Sequence, residues 1–192
     1  MFNESLTLEF QKLYDTIDEA ARFEDKTTLK FAIDNRYHYL MGYEEHFGTT
    51  ICTYAAKNNN LFLLKILHNL GVEDLDYSSV NTILVEFCEN GNLEGVKFAV
   101  EDCGESTNSS NRQTGCPAHY YAAKHGYYEI CKYLCSFKQT KKYLRRFLGR
   151  SFVPIYDIIL KMNSGSSEIL ELLKLTDEEN AEISELQEKY RR

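Results

Sequence analysis

Proline is almost missing from this chain, with two in 192 residues, and tryptophan is absent. So little proline, beside 43% hydrophobic and 27% charged residues, excludes a collagen-like or low-complexity protein and describes a chain able to bury a core. No run approaches the roughly 18 apolar residues that a membrane helix needs. The opening residues Met1-Phe2-Asn3-Glu4-Ser5 carry neither the basic region nor the apolar stretch of a secretory leader. Six cysteines, with no Cys-x-x-Cys pair, are too few for a disulfide scaffold, so reduced thiols and a cytoplasmic or nuclear location are expected. Also lacking are a glycine-rich phosphate loop, an H-E-x-x-H helix, a paired-carboxylate arrangement and a serine or cysteine nucleophile motif. The sequence therefore predicts a protein that is not an enzyme and holds no cofactor.

What is present is unevenly spread. The formal charge of -7 belongs to the first half, where residues 1–96 hold 7 Lys and Arg against 16 Asp and Glu, while residues 97–192 hold 15 against 13. Residues 130–156 contain Lys132, Lys138, Lys141, Lys142, Arg145, Arg146 and Arg150 and no acid. Such a segment is either a solvated loop and helix face or a contact for phosphate, acidic peptide or nucleic acid. Fourteen tyrosines supply side chains that often anchor protein contacts.

The chain also repeats itself. Ala55-Ala56-Lys57-Asn58-Asn59-Asn60-Leu61 matches Ala122-Ala123-Lys124-His125-Gly126-Tyr127-Tyr128, and each precedes an apolar helical stripe (Leu63, Leu64, Leu67; Ile130, Cys131, Leu134). Phe87-Cys88-Glu89-Asn90-Gly91 fills the same frame between them, Ala20-Ala21 opens a degenerate first copy, and Gly165 marks a last one. Turns are thus predicted at 24, 59, 91, 126 and 165, spaced 35, 32, 35 and 39 residues apart. Those spacings bracket repeat periods of roughly 33 and 34 residues built from helix pairs.

The head of the unit chooses between them. Gly48-Thr49-Thr50-Ile51-Cys52-Thr53-Tyr54-Ala55-Ala56 resembles the ankyrin pattern G-x-T-P-L-H-x-A-A, and Gly71 stands where an ankyrin unit closes its second helix. The resemblance implies an all-α, ankyrin-type helical repeat solenoid over residues 1–175, with units near 10–40, 48–75, 80–103, 114–136 and 150–175. A C-terminal helix follows over 176–192, and both end helices are atypical caps. Cys116-Pro117-Ala118-His119 reads as carrying one residue more than the pattern, which makes His119 the counterpart of the family's histidine, a ring that hydrogen-bonds between units. The polar stretch 104–115 is expected to project as an extended hairpin tip.

Small residues at 55, 56, 122 and 123 suit close helix packing at roughly 8 to 10 Å. Each unit alone cannot bury its apolar face, so neighbours complete the core. Cys52, Cys88, Cys131 and Cys135 take core places in this frame, which favours packing over zinc although thiolate and imidazole are zinc's usual ligands. No metal is expected. What remains for function is surface: the positions beside each small pair that face away from the core, Tyr54, Lys57 and Asn58, then Glu86, Glu89 and Asn90, then Tyr121, Lys124 and His125. The reading they support is a protein-interaction module whose concave groove and hairpin tips bind a partner protein. Divergent arrays of this family are frequent among host-directed proteins of pathogens and viruses, which would place the chain in a host cytosol. The alternative is nucleic-acid or anionic-surface binding through Lys138, Lys141, Lys142, Arg145, Arg146 and Arg150. A third reading is a subunit that masks another enzyme's active site.

Overall fold

The computed structural model describes residues 4–37, 41–44, 47–72, 80–137 and 167–174, with 140, 159, 176–178, 181 and 184. Helix α1 (Glu4–Arg22) buries Phe10, Tyr14, Ile17, Ala20 and Ala21 at the spacing of one helical face. Asp25 then caps α2 (Lys26–Asp34), its carboxylate accepting from the Thr27 and Thr28 amides at 3.1 Å each. A hairpin of β1 (Met41–Glu44) and β2 (Phe47–Thr50) follows, pairing Met41 with Thr50 and Glu44 with Phe47. The hairpin is a small addition to an array that is otherwise helical, as expected. Strands of four residues are too short to show a period-2 pattern, and Thr50 ends β2 while capping the next helix.

Three helix pairs then stack. Helices α3 (Ile51–Lys57) and α4 (Leu61–Asn69) form the first; α5 (Ile83–Asn90) and α6 (Leu93–Lys97), extended by a π-helical turn over Phe98–Asp102, form the second; α7 (Ala118–Lys124) and α8 (Tyr128–Cys135) form the third. Helix α9 (Ser167–Leu173) packs on α8, burying Ile169 and Leu173. The first helices α3, α5 and α7 lie side by side as one layer. Expected features of the last unit before residue 167, including the turn at 165, fall almost wholly outside the described residues, as does most of the C-terminal helix 176–192.

The turn between the helices of each pair recurs in detail. Glu24, Asn59, Gly91 and Gly126 all have positive φ (54°, 57°, 72° and 77°), at four of the positions the spacing predicts. The next residue's amide always reaches back five residues: Asp25 to Ala20, Asn60 to Ala55, Asn92 to Phe87, Tyr127 to Ala122, at 2.7 to 3.0 Å. That bond satisfies a carbonyl the helix end would otherwise orphan. The next turn, after the second helix, is at Arg36, Gly71 and Gly104. From turn to turn, Glu24 to Arg36 and Asn59 to Gly71 each span twelve residues, and Gly91 to Gly104, across α6, spans thirteen. The π turn, with Cys103 N–H donating to Phe98 O at 3.0 Å, absorbs the additional residue.

Two details correct the sequence reading. Helices α3 and α5 are capped by Thr50 and Thr82, and α7 by Pro117 at the same frame position, so the segment 116–123 carries no extra residue. Proline stands at the cap itself rather than one place later, which displaced the register. His119 therefore takes the place of Cys52 and Leu84, an apolar core position, and is fully buried. Burial lowers its pKa to about 3, so the ring is neutral. In the unit of α5, the place held by Ala55 and Ala122 is taken by Phe87, and the place of Leu63 and Ile130 by Gly95. A Cβ on Gly95 would meet the Phe87 ring. Large and small have changed sides of one contact.

Candidate functional site

The nine positions expected to face away from the core divide into two rows. Tyr54, Glu86 and Tyr121, each just before the place held by Ala55, Phe87 and Ala122, lie between neighbouring helices rather than open to a groove. Tyr54 is half-buried under α1, edge-on to Phe10 (5.4 Å) and Tyr14 (5.0 Å), with its hydroxyl donating to Gln11 Oε1. Tyr121 is 9% exposed, edge-on to Tyr120 at 5.3 Å, and Glu86 is 8% exposed. A helix turns 100° per residue, so the neighbours of Ala55 on either side point at the flanking helices of the layer. These three are corrected from open groove residues to packed ones.

The second row is accessible. Lys57, Asn58, Asn90 and His125 are exposed, and Glu89 and Lys124 half-exposed, where the first helices end. Lys57, Glu89 and Lys124 share one frame position on three adjacent helices and give charges of plus, minus and plus. Lysine suits a helix C-terminus and glutamate does not, so Glu89 stands where the macrodipole opposes it. Asn58, Asn90 and His125 share the next position, and His125 stacks on Tyr127 with ring centres 5.7 Å apart. Counting 35 residues back from Asn58 finds Phe23, 76% exposed, a further member of this row that the degenerate first unit conceals in the repeat pattern.

Side-chain amides fasten this edge. Asn90 Nδ2 donates to the carbonyls of Ala56 and Lys57, both at 3.0 Å; Asn92 Nδ2 donates to Asn59 Oδ1; Asn60 Nδ2 donates to Asp18 Oδ1 at 2.6 Å. At the hairpin side the fastening joins the next pair of units. Ser110 bridges Pro117, Asn111 Nδ2 donates to Asn81 Oδ1, Asn81 Nδ2 donates to Glu86 Oε1 at 2.8 Å, and the Arg112 amide donates to Val80 O at 2.8 Å. The polar stretch 104–115 is a turn-rich hairpin segment, as its composition predicts.

Burial raises the Glu86 carboxyl to about 7; the Asn81 hydrogen bond opposes this, Glu89 adds to it and Lys57 opposes it. Glu105, beneath the start of α5 and accepting from the Leu84 amide, is likewise raised to about 7 by burial. A carboxyl whose folded value exceeds its unfolded one contributes most below the unfolded value near 4.5, and that contribution is lost as pH rises through about 7. Glu86→Gln, which can still accept from Asn81, should therefore gain stability over the native chain as pH rises from 4.5 to 7, by up to about 3 kcal/mol. Thermal melts of both proteins across that window measure it. His119 has the opposite slope but is common to both and cancels. A constant difference would place Glu86 in contact with water.

All six cysteines are thiols. Cys52, Cys88 and Cys131 are buried as their frame places predict, whereas Cys135 is half-buried and Cys116, expected beside the loop, is buried. Burial pushes Cys131 and Cys103 up to about 12 and Cys88 well above the ordinary thiol range, which makes them poor nucleophiles and poor metal ligands. Among the described residues no three His, Cys, Asp or Glu gather as a metal site requires, and no helix is long and apolar enough to cross a membrane. Lys138, Lys141, Lys142, Arg145, Arg146 and Arg150 lie outside the described residues. Lys132 is exposed on α8, its ammonium 6.0 Å from the Tyr128 ring centre.

A family model described as ankyrin repeats, in three copies, matches residues 53–145. No curated protein matches the chain. Among solved structures, a crystal structure of EF0377, an ankyrin repeat protein, matches with 20% identity and a TM-score of 0.45, covering 82% of this chain and 96% of that one.

Proposed function

We propose, from the match of residues 53–145 to three ankyrin repeats, that the chain is a non-enzymatic protein that holds a partner protein along the edge built by Lys57, Asn58, Glu89, Asn90, Lys124 and His125. Ankyrin repeats are protein–protein interaction modules, and a solenoid presents an extended surface rather than a pocket. The observation that carries the reading is the alternation of plus, minus and plus at one frame position of three adjacent, fully packed helices. The partner it suits presents the complementary order, acid, base and acid, at the roughly 8 to 10 Å spacing of packed helices. Phe23 at one end and the His125 and Tyr127 stack at the other supply aromatic surface for anchoring. The six thiols support a cytoplasmic or nuclear site of action. A host cell's cytosol is the finer form of that proposal, resting on the loose match to the repeat pattern.

The test compares the intact chain with Lys57→Glu, Glu89→Lys, Lys124→Glu as bait, captured proteins being identified by mass spectrometry and the interaction then measured with purified components. The triple reversal should weaken binding at least about tenfold, a difference of about 1.4 kcal/mol, while a cooperative melt is retained. Retention of the same partner by this variant, and its loss on reversing Lys141, Lys142, Arg145 and Arg146, would move the binding site to the basic segment. Were the ligand then nucleic acid, affinity would fall by roughly one log unit per log of salt for each phosphate contacted.

A further inference from the structure

The fold creates a reactive dipeptide. Two independent demands meet at residues 90 and 91. Position 91 favours glycine, because φ is +72° and an added Cβ would lie 2.7 Å from Cε1 and Cζ of the Tyr127 ring, which would have to shift. Position 90 carries a double donor: Asn90 Nδ2 donates to the Ala56 and Lys57 carbonyls at the end of α3, at 3.0 Å each, beside the Asn59 amide that also donates to Ala56 O. The other units meet the same two positions with Phe23-Glu24, Asn58-Asn59 and His125-Gly126. Only here does the result read Asn-Gly, the pair in which no side chain shields the asparagine Cγ from the next backbone nitrogen.

We propose that Asn90-Gly91 is a site of spontaneous deamidation, held off by the clamp onto α3 and released when α3 and α5 part. The Gly91 nitrogen attacks Asn90 Cγ, the bond from Cγ to Nδ2 breaks, and the proton leaving the Gly91 nitrogen goes out with Nδ2 as ammonia. Water then opens the five-membered imide at either carbonyl, leaving aspartate or its isomer with the backbone routed through Cγ. In the closed array both reacting groups are tied: the Gly91 N–H donates to Phe87 O, and Nδ2 is held by two carbonyls. Asn90 is exposed, so water and hydroxide reach it.

The product cannot restore the clamp. Its carboxylate would face two carbonyl oxygens at the negative end of α3, where a donor stood before. The isomer adds a backbone atom inside a left-handed turn pressed against Tyr127. Opening between α3 and α5 thus becomes one-way once the amide is lost, and the edge proposed to bind a partner is broken between Lys57 and Glu89.

The full chain is incubated at mildly alkaline pH in native buffer and at the urea midpoint, and the tryptic peptide 66–97 is followed by mass spectrometry for conversion of amide to acid at Asn90. Conversion should be at least about tenfold faster in urea, since opening controls access. Equal rates in the two conditions would overturn the gate. Asn90→Ala removes the donor without adding charge, and Asn90→Asp does both, so melting temperatures should fall in the order native, Asn90→Ala, Asn90→Asp. Asn90→Asp melting with the native chain would overturn the clamp, and the mass measurement on the unaltered chain stands whether or not that variant folds.

Discussion

Gly95→Ala is expected to lower stability by about 1 to 3 kcal/mol, although alanine is the better helix former by about 1 kcal/mol. Gly95 lies within α6, where the ordinary effect of the exchange is a gain. Here the new methyl would land on the ring of Phe87, which is fully buried and has no direction in which to retreat. Overpacking outweighs propensity, and the sign reverses. In a chain of this size the melting temperature should fall by roughly 2 to 4 °C per kcal/mol. The pairing gives a sharper measurement. Phe87→Ala alone leaves a cavity and should cost about 3 to 5 kcal/mol. Phe87→Ala with Gly95→Leu rebuilds the arrangement that Ala55 with Leu63 and Ala122 with Ile130 already use, so the double variant should recover most of what each change loses. Additive losses would show that the two positions do not share a contact.

Ala55→Leu and Ala122→Leu should each cost about 1 to 3 kcal/mol. Both alanines are fully buried, and their carbonyls accept the turn bonds from Asn60 and Tyr127. A larger side chain must push one helix of the pair away and lengthen that bond as well. Thermal melts read the loss, and hydrogen exchange at the Asn60 and Tyr127 amides reads its location. The unit of α5 tolerates a phenylalanine at this place because its partner position is glycine, so adding Leu63→Gly should rescue Ala55→Leu in part. An unchanged melt in both single variants would mean that these positions are not in the helix contact.

The turns were the most legible part of the sequence because they obey a local rule. Asn59, Gly91 and Gly126 tolerate a left-handed backbone, and Ala or Cys precedes each by three residues. The β hairpin was hidden because four-residue strands carry no period. Pro117 is ambiguous because proline suits both a helix cap and the first helical position, and that one-residue choice decides the place of His119 while leaving Ala122, Ala123 and Gly126 unmoved. The accessible row at 57, 58, 89, 90, 124 and 125 was legible from helix ends alone. Tyr54, Glu86 and Tyr121 were not, because whether a residue beside the small pair is covered depends on how far α1 and the hairpins reach across the layer. Nothing in the local sequence states that reach.

The fastening of neighbouring units has a mechanical consequence. Among the described residues, the junction between α3 and α5 is tied at the helix-turn edge by Asn90 and Asn92, whereas the junction between α5 and α7 is tied at the hairpin edge through Asn111, Asn81 and the Arg112 amide. Each junction thus carries its polar seam on a different edge, so a single lost amide unzips one seam and leaves the other whole.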